Sequence, residues 1–321
     1  MGSTIQLALD DTPVTTDFYN TVELLEVEEN ADRPDALVMR VPVNRTSGGD
    51  LQYVGDGTLE PYTNITLTVT PPSQPAQCIF DGYALGWKLH LDRTGSCSTL
   101  EVWAQDASWL MNISDTVQEW PGMTDGQVAN AIFSSYGFTP DPSNDDPDLP
   151  IHDPDLHSLF QRATDLQFLR GLARRDGKLC RVACTDMPGD RTGYFITPNL
   201  SGDPVTTITL SDPEAWSVDS LDFEWDVMRP AEVDASQLDV QSSDDGTAGD
   251  ATDSGLAPLS TSATPTRDFP TYANVPPIPA GDSGTLLLTP TADVPEVPLR
   301  ATAALRDAGW FMRCTGEADV L

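Results

Sequence analysis

Thr164 to Gly177 carries the marks of a helix with both ends specified, and no other segment constrains the fold as tightly. Thr164 and Gln167 stand three apart, the spacing of a capping box, in which each side chain satisfies an orphan donor at the helix start. Phe168, Leu169, Leu172 and Ala173 recur at helical spacing and make one apolar stripe. Arg170, Arg174 and Arg175 gather toward the last turn, where cations complement the helix dipole, and Gly177 can take the left-handed conformation that ends a helix. Lys178 to Cys184 then reads as a strand, so the stripe predicts a helix packed on a sheet.

The chain of 321 residues is long enough for two or three domains with cores of their own. Its charge is far from balanced: 50 acids against 17 bases give a net charge of −33. Lys occurs only as Lys88 and Lys178, so the remaining bases are Arg. Self-repulsion of this size opposes a compact state unless salt screens it. The Debye length falls from about 8 Å at physiological ionic strength to about 3 Å at 1 M. An acidic, Lys-poor chain therefore suits a halophilic host, although a GC-rich mesophilic genome would also favour Arg over Lys. A phosphate backbone would be repelled, which argues against nucleic-acid binding.

The five cysteines, Cys78, Cys97, Cys180, Cys184 and Cys314, form no disulfide framework. Cys180 and Cys184 share one face of the expected strand and read as reduced thiols in a core. The N-terminus has neither the basic nor the long apolar region of a signal peptide. No run approaches the roughly 20 apolar residues of a membrane anchor, so the expectation is synthesis in the cytoplasm.

Residues 1 to about 107 read as β. The runs Ala36–Val43, Asn64–Thr70 and Thr99–Trp103 are rich in β-branched and apolar residues, with turn signals such as Gly55-Asp56-Gly57 between them. Thr66, Thr68 and Thr70 alternate with Leu67 and Val69, as in a sheet with one solvated face. A barrel or a sandwich satisfies this pattern. The character then changes. Thr124 and Gln127 repeat the capping-box spacing ahead of Val128, Ala131, Ile132 and Tyr136, and Gly137 terminates that helix. An acidic, Pro-rich loop follows from Pro140 to Pro154, so residues 108–200 read as a small α+β insert with helices near 124–136 and 164–176. Strands resume at Val205–Leu210 and Val218–Val227. From about 241 to 282 the composition falls to Ser, Thr, Asp, Gly, Ala and Pro and predicts a flexible excursion. Pro298 opens a last helix through Ala301, Ala304, Leu305 and Ala308, stopped by Gly309, and Trp310–Cys314 begins another strand.

The constellations that carry chemistry are weak. Asp141, Ser143 and Asp145 alternate oxygen donors, as do Asn144, Asp146 and Asp148, but the sixth and twelfth places of an EF-hand loop hold Asp146 and His152 instead of Gly and Glu. His152-Asp153-Pro154-Asp155-Leu156-His157 offers transition-metal ligands on a Pro-broken loop and reads as solvated. Three histidines (His90, His152, His157) and no Gly-x-Ser-x-Gly elbow give little support to a nucleophile–base pair. Carboxylates are too abundant for any pair to discriminate. There is no phosphate-cradling loop or dinucleotide fingerprint, so no cofactor, metal or catalytic residue is expected. The sequons at Asn44, Asn64, Asn112 and Asn199 read as coincidence in a Ser/Thr-rich chain.

Gln161-Arg162-Ala163-Thr164-Asp165, followed by Phe168-Leu169 and Leu172-Ala173-Arg174-Arg175-x-Gly177, resembles the signature of the phage late control gene D protein family. That family forms tail and baseplate hubs, and the hub portion of VgrG proteins of type VI secretion is similar to it. Gln77–Tyr83 looks like the family's strand motif that closes its first barrel, and the helix ending at Tyr136-Gly137 is similar to the one before its central domain. Met228-Arg229-Pro230-x-x-Val233 resembles the start of its second barrel. The resemblance implies an α+β, mostly β fold: a tube-like β-barrel over 1–107, the insert over 108–200, and a second tube-like β-barrel over 201–321. Gln161, Arg162, Asp165, Phe168, Leu169, Leu172, Ala173 and Gly177 would be its structural signature.

It also implies a homotrimer whose paired barrels imitate sixfold symmetry, with a spike protein, tail tube or tube-initiator proteins and other baseplate components as partners. No catalytic residue is implied, so the chain is expected not to be an enzyme. The sequence contains neither a lysozyme-like domain nor a repeat-rich β-helix, so the spike is expected to be a separate protein and the setting a phage tail or phage-like contractile particle. The chain stops soon after Gly316, where the family continues, so either the second barrel is abbreviated or the chain is a fragment. Two rivals stand beside the hub: an acidic β-rich module binding calcium or carbohydrate, and an acidic hydrolase working with a carboxylate pair.

Overall fold

The computed structural model describes residues 3–93, 97–147, 149–155, 158–203, 218–226, 229–230, 232–237, 247–256, 285–288, 296–310 and 312–318. The fold is mostly β. The chain divides into two compact units, one of Met1–Asp146, Leu159–Arg170 and Leu179–Phe195, the other of Pro147–Ser158, Gly171–Lys178 and Ile196–Leu321. Among the described residues no helix is long and apolar enough to cross a membrane.

In the first unit the strands β1 (Thr4–Leu9), β2 (Thr12–Pro13), β3 (Leu24–Glu28), β4 (Ala36–Pro42), β5 (Asn64–Thr70), β6 (Gln77–His90) and β7 (Thr99–Asp106) form one sheet. Its order is β2-β1-β5-β6-β7-β4-β3, with antiparallel pairing, and it curls into a half-barrel. A four-residue helix, α1 (Thr16–Tyr19), contributes Phe18 to the core that the inner face closes over, together with Leu37, Met39, Ile65, Phe80 and Leu100. The motif strand β6 is the longest and lies in the middle of the sheet, between β5 and β7. Gly82 is required there, because a Cβ at that position would lie 2.1 Å from the Gln105 carbonyl oxygen and 2.7 Å from the Phe80 ring. The expected Thr/Leu alternation in β5 is blurred. A register shift between Leu67 and Thr68 leaves Ile79 without an opposite residue, and Thr66 is buried.

The same unit holds β8 (Asp115–Glu119), α2 (Asp125–Ser135), β9 (Thr139–Pro140), β10 (Phe160–Thr164), β11 (Leu179–Cys184) and β12 (Arg191–Ile196). β10 pairs with β8, while β11, β12 and β9 make a three-stranded sheet. α2 carries the full capping box between Thr124 and Gln127, and Gly137 takes φ +75° after it. Residues Asp165–Asp176 form α3, and the division between the two units falls within it. Leu166, Leu169, Leu172 and Ala173 are its buried residues, whereas Phe168 is only half-buried.

In the second unit β13 (Val218–Trp225) pairs with β17 (Met312–Ala318), and β14 (Glu232–Gln237) lies between β15 (Thr247–Ala251) and β16 (Thr285–Leu288). α4 (Val297–Ala308) covers the latter sheet through Val297, Ala301 and Leu305 against Val233, Ala235 and Ala251. β15 corrects the expected excursion, since Thr247–Ala251 is a strand in register with β14. Its Gly249 misleads as a sequence signal, because close packing demands it: a Cβ there would meet the Pro298 backbone at 2.9 Å. Residues 241–246 and 257–282 of that segment, and the strand expected at Val205–Leu210, lie outside the described residues.

Two glycine substitutions should shift stability in opposite directions. Gly82→Ala should cost about 3 kcal/mol, because backbone atoms cannot move aside. Gly171→Ala should add about 0.5–1 kcal/mol, since Gly171 is exposed inside α3 with nothing within 4 Å of the new methyl. Urea melts of the two variants against the parent measure both.

Candidate functional site

Of the residues expected to form a signature, all but Arg162 are buried or half-buried. Gln161 is fully buried; its Oε1 accepts from Trp120 Nε1 at 3.1 Å, and its Nε2 donates to Asp165 Oδ1 and to the Ala163 carbonyl. Asp165 accepts in addition from the Tyr136 hydroxyl at 2.7 Å. Burial, reinforced by that hydrogen bond and the carboxylate charge, pushes the Tyr136 phenol up to about 12. A buried amide is thus satisfied at both ends, and α2, β10 and the start of α3 are held together. Thr164 caps α3 by accepting from the Gln167 N–H at 3.3 Å and donates its own proton to Asn112 Oδ1. Arg162 alone among the signature residues points to solvent from β10 with no polar role in this network.

The far end of α3 closes as its residues predict. Gly177 takes φ +65°, with Lys178 N–H bonding to the Ala173 carbonyl and Gly177 N–H to that of Arg174, the Schellman pattern. A Cβ on Gly177 would also stand 2.8 Å from the Ala303 Cα of α4.

Next to it lies an ionic cluster that the sequence did not disclose. Arg300 Nη2 binds Glu296 Oε2 at 2.8 Å, and its Nη1 lies 3.5 Å from Asp176 Oδ1. His152 is 1% exposed, with Nδ1 at 3.7 Å from Glu296 Oε1 and Nε2 at 3.5 Å from Arg175 Nη2. Burial and the Arg175 charge pull the Arg300 guanidinium below its ordinary value, against the pull of Glu296 and Asp176. The expectation of a solvated His152 is therefore corrected: its ring is enclosed by the cluster. His157 and Asp148 lie outside the described residues. Asn144, one of the oxygen donors weighed for calcium, is buried instead. Its Oδ1 accepts from Phe195 N–H, and its Nδ2 donates to Gly193 O and Asn130 Oδ1. Among the described residues no three His, Cys, Asp or Glu side chains converge as metal ligands.

The strand motif in β6 supplies the strongest anchor. Asp81, 4% exposed, receives Arg191 Nη2 at 2.7 Å on Oδ1 and Arg191 Nε at 3.0 Å on Oδ2. Asn64 Nδ2 and Gly189 N–H complete its shell, each at 2.9 Å. Arg191 also donates to the Tyr83 hydroxyl at 2.8 Å and lies 5.1 Å from that ring's centroid. Burial would raise the Asp81 pKa, but the hydrogen bonds and the Arg191 charge outweigh it and hold it below its ordinary value. The sequence placed Asp81 inside a motif but offered no signal for a partner 110 residues away. Nearby, burial first and then the negative Asp106 raise Asp35 to about 6, against the Asn30 N–H bond.

No family model matches the sequence, and no curated protein matches it either. Solved structures do. A tail protein from Neisseria meningitidis MC58 superimposes with a TM-score of 0.59 at 13% identity, over 94% of this chain and 75% of that one. The 43 kDa tail protein of prophage MuSo2 from Shewanella oneidensis does so with a TM-score of 0.60 at 12% identity, over 97% and 81%. The chain has the fold of phage tail proteins. A type VI secretion component from E. coli aligns more loosely, with a TM-score of 0.46 at 15% identity over 70% of this chain and 56% of that one.

Asp81→Asn should cost about 3 kcal/mol in a urea melt, because it leaves the Arg191 charge without its partner. The double variant Asp81→Asn/Arg191→Met should cost less than the sum of the single changes. Asp35 should behave in the opposite sense. Its folded pKa of about 6 exceeds the unfolded 3.8, so its contribution is full below pH 3.8 and lost as pH rises through 6. Asp35→Asn should therefore raise the melting temperature at pH 7.5 and leave it unchanged at pH 3.5.

Proposed function

We propose that this chain is the structural hub of a baseplate, in a contractile phage tail or a phage-like contractile injection particle. It would act as a homotrimer that adapts a threefold spike to a hexameric tail tube. The observation that carries this reading is the likeness of nearly the whole chain to two tail proteins. The hub-type signature supports it, because Gln161, Asp165, Leu169, Leu172, Ala173 and Gly177 occupy places where a side chain or its absence is structurally demanded.

On this reading residues 1–107 and 201–321 are look-alike tube-like barrels, and 108–200 is the insert between them. Three copies then present six similar barrels, so a spike with threefold symmetry docks on one face and a six-membered tube ring starts on the other. Closed symmetry makes such an adaptor repeat the same contacts in every subunit. The role is mechanical and non-catalytic: hold the spike, seat the tube, and travel with both when the sheath contracts. The chain would be made in the cytoplasm and incorporated into the baseplate, with spike, tube-initiator and other baseplate proteins as neighbours. Its acidic character fits assembly in concentrated salt, where screening shortens the repulsion between subunits that each carry −33.

Mass photometry in molar NaCl should show particles of three copies, and the melting temperature should rise between low and molar salt. A stable monomer across the whole salt range would overturn the hub assignment.

A further inference from the structure

Cys78 and Cys184 meet across 106 residues of sequence. Cys78 lies near the start of β6 and Cys184 ends β11. The Cys184 S–H donates to the Cys78 carbonyl oxygen at 2.9 Å, which brings its sulfur against the Cys78 residue, and the Cys78 thiol lies 3.4 Å from the Phe80 carbonyl oxygen. Both are reduced; Cys78 is buried and Cys184 half-buried. They border a cavity of about 100 Å³ whose wall is polar, with Asp35, Asp81, Asp106 and Arg181 beside the thiols. A dry apolar pocket for packed thiols would not be built from those groups. This cavity has room for a molecule of a few heavy atoms that can hydrogen bond.

We propose that Cys78 and Cys184 form an oxidation site, at which hydrogen peroxide admitted to this cavity joins β6 to β11 through a disulfide. The geometry assigns unequal roles. The neighbouring Cys184 thiol lowers the Cys78 pKa against the effect of burial, while Cys184 is held above its ordinary value by the Cys78 thiol and by burial. Cys78 is thus the more acidic thiol of the two and attacks once deprotonated, while Cys184 keeps its proton on the Cys78 carbonyl oxygen. The Cys78 sulfur attacks one peroxide oxygen, the O–O bond breaks, and the other oxygen leaves with a proton as water. Cys184 then attacks the sulfenic sulfur of Cys78, the S–O bond breaks, and a second water leaves. Two thiols give up two electrons and two protons, and one peroxide becomes two waters. The bond would fasten covalently the junction that Asp81 and Arg191 hold by charge. This inference stands whether or not the chain is a hub, since it rests on the first unit alone.

The test uses the full chain carrying Cys97→Ser and Cys314→Ser, because those exposed thiols would otherwise pair between molecules. The reduced protein is treated with hydrogen peroxide in molar salt, alkylated, digested and mapped by mass spectrometry. The expected result is a Cys78–Cys184 cross-linked peptide, an intact mass lower by two hydrogens, and Cys180 still alkylated. The melting temperature should rise by about 5–10 °C and fall back with dithiothreitol. With Cys184→Ser added, the reaction should stop at a sulfenic acid on Cys78 that dimedone traps. Recovery of Cys78 and Cys184 as free thiols, or as separately oxidised acids, overturns the proposal. So does a Cys184→Ser variant that dimedone leaves unlabelled.

Discussion

The ion pair between Asp81 and Arg191 is the contact around which the first unit is arranged. A carboxylate has about four acceptor sites, and Asp81 fills all of them with two Arg191 nitrogens, the Asn64 amide and the Gly189 N–H. These donors come from β5, from the turn before β12 and from β12 itself, while Asp81 sits on the central strand β6. Bidentate geometry and complete satisfaction are the conditions under which a buried pair offsets its desolvation. Gly82 beside it allows the Gln105 carbonyl to approach, and Tyr83 one residue on gives Arg191 a hydroxyl and an aromatic face. Three consecutive residues of one strand therefore do three different jobs, and none of the three tolerates an average replacement.

Local chemistry was legible in the sequence because its causes are local. Both helix ends of α2, the Thr164 cap and the Gly177 stop follow from residues within five positions of one another, and the structure realises each. The strands β4, β5 and β7 follow from composition in the same way. What stayed hidden are polar contacts between residues far apart in the chain. Asp81 is one acid among 50, so nothing in its type marks it as buried. His152 reads as solvated because its immediate neighbours are Asp and Pro, yet it is buried with Arg175 and Glu296, from elsewhere in the sequence, against its ring nitrogens. β15 failed as a strand signal for a related reason. Gly249 and Ala251 are small where α4 packs on the strand, and Ala248 and Asp250 face out, so no large apolar residue marks it.

The placement of scarce cations ties these contacts to the charge of the whole chain. With 17 bases among 67 charged residues, a cation is more valuable inside than in the surface pairs that contribute little. Arg191 and Arg300 are both committed to buried carboxylates, each with more than one acceptor in reach. Salt then acts on the two populations unequally. Mobile ions screen repulsion between exposed acids over a few ångströms, but they reach buried pairs far less. Raising the ionic strength can therefore relax the surface of this protein without loosening the anchors that position β6, β12 and α4. Screening thus acts on the exposed acids, while the geometry set by the buried pairs stays fixed.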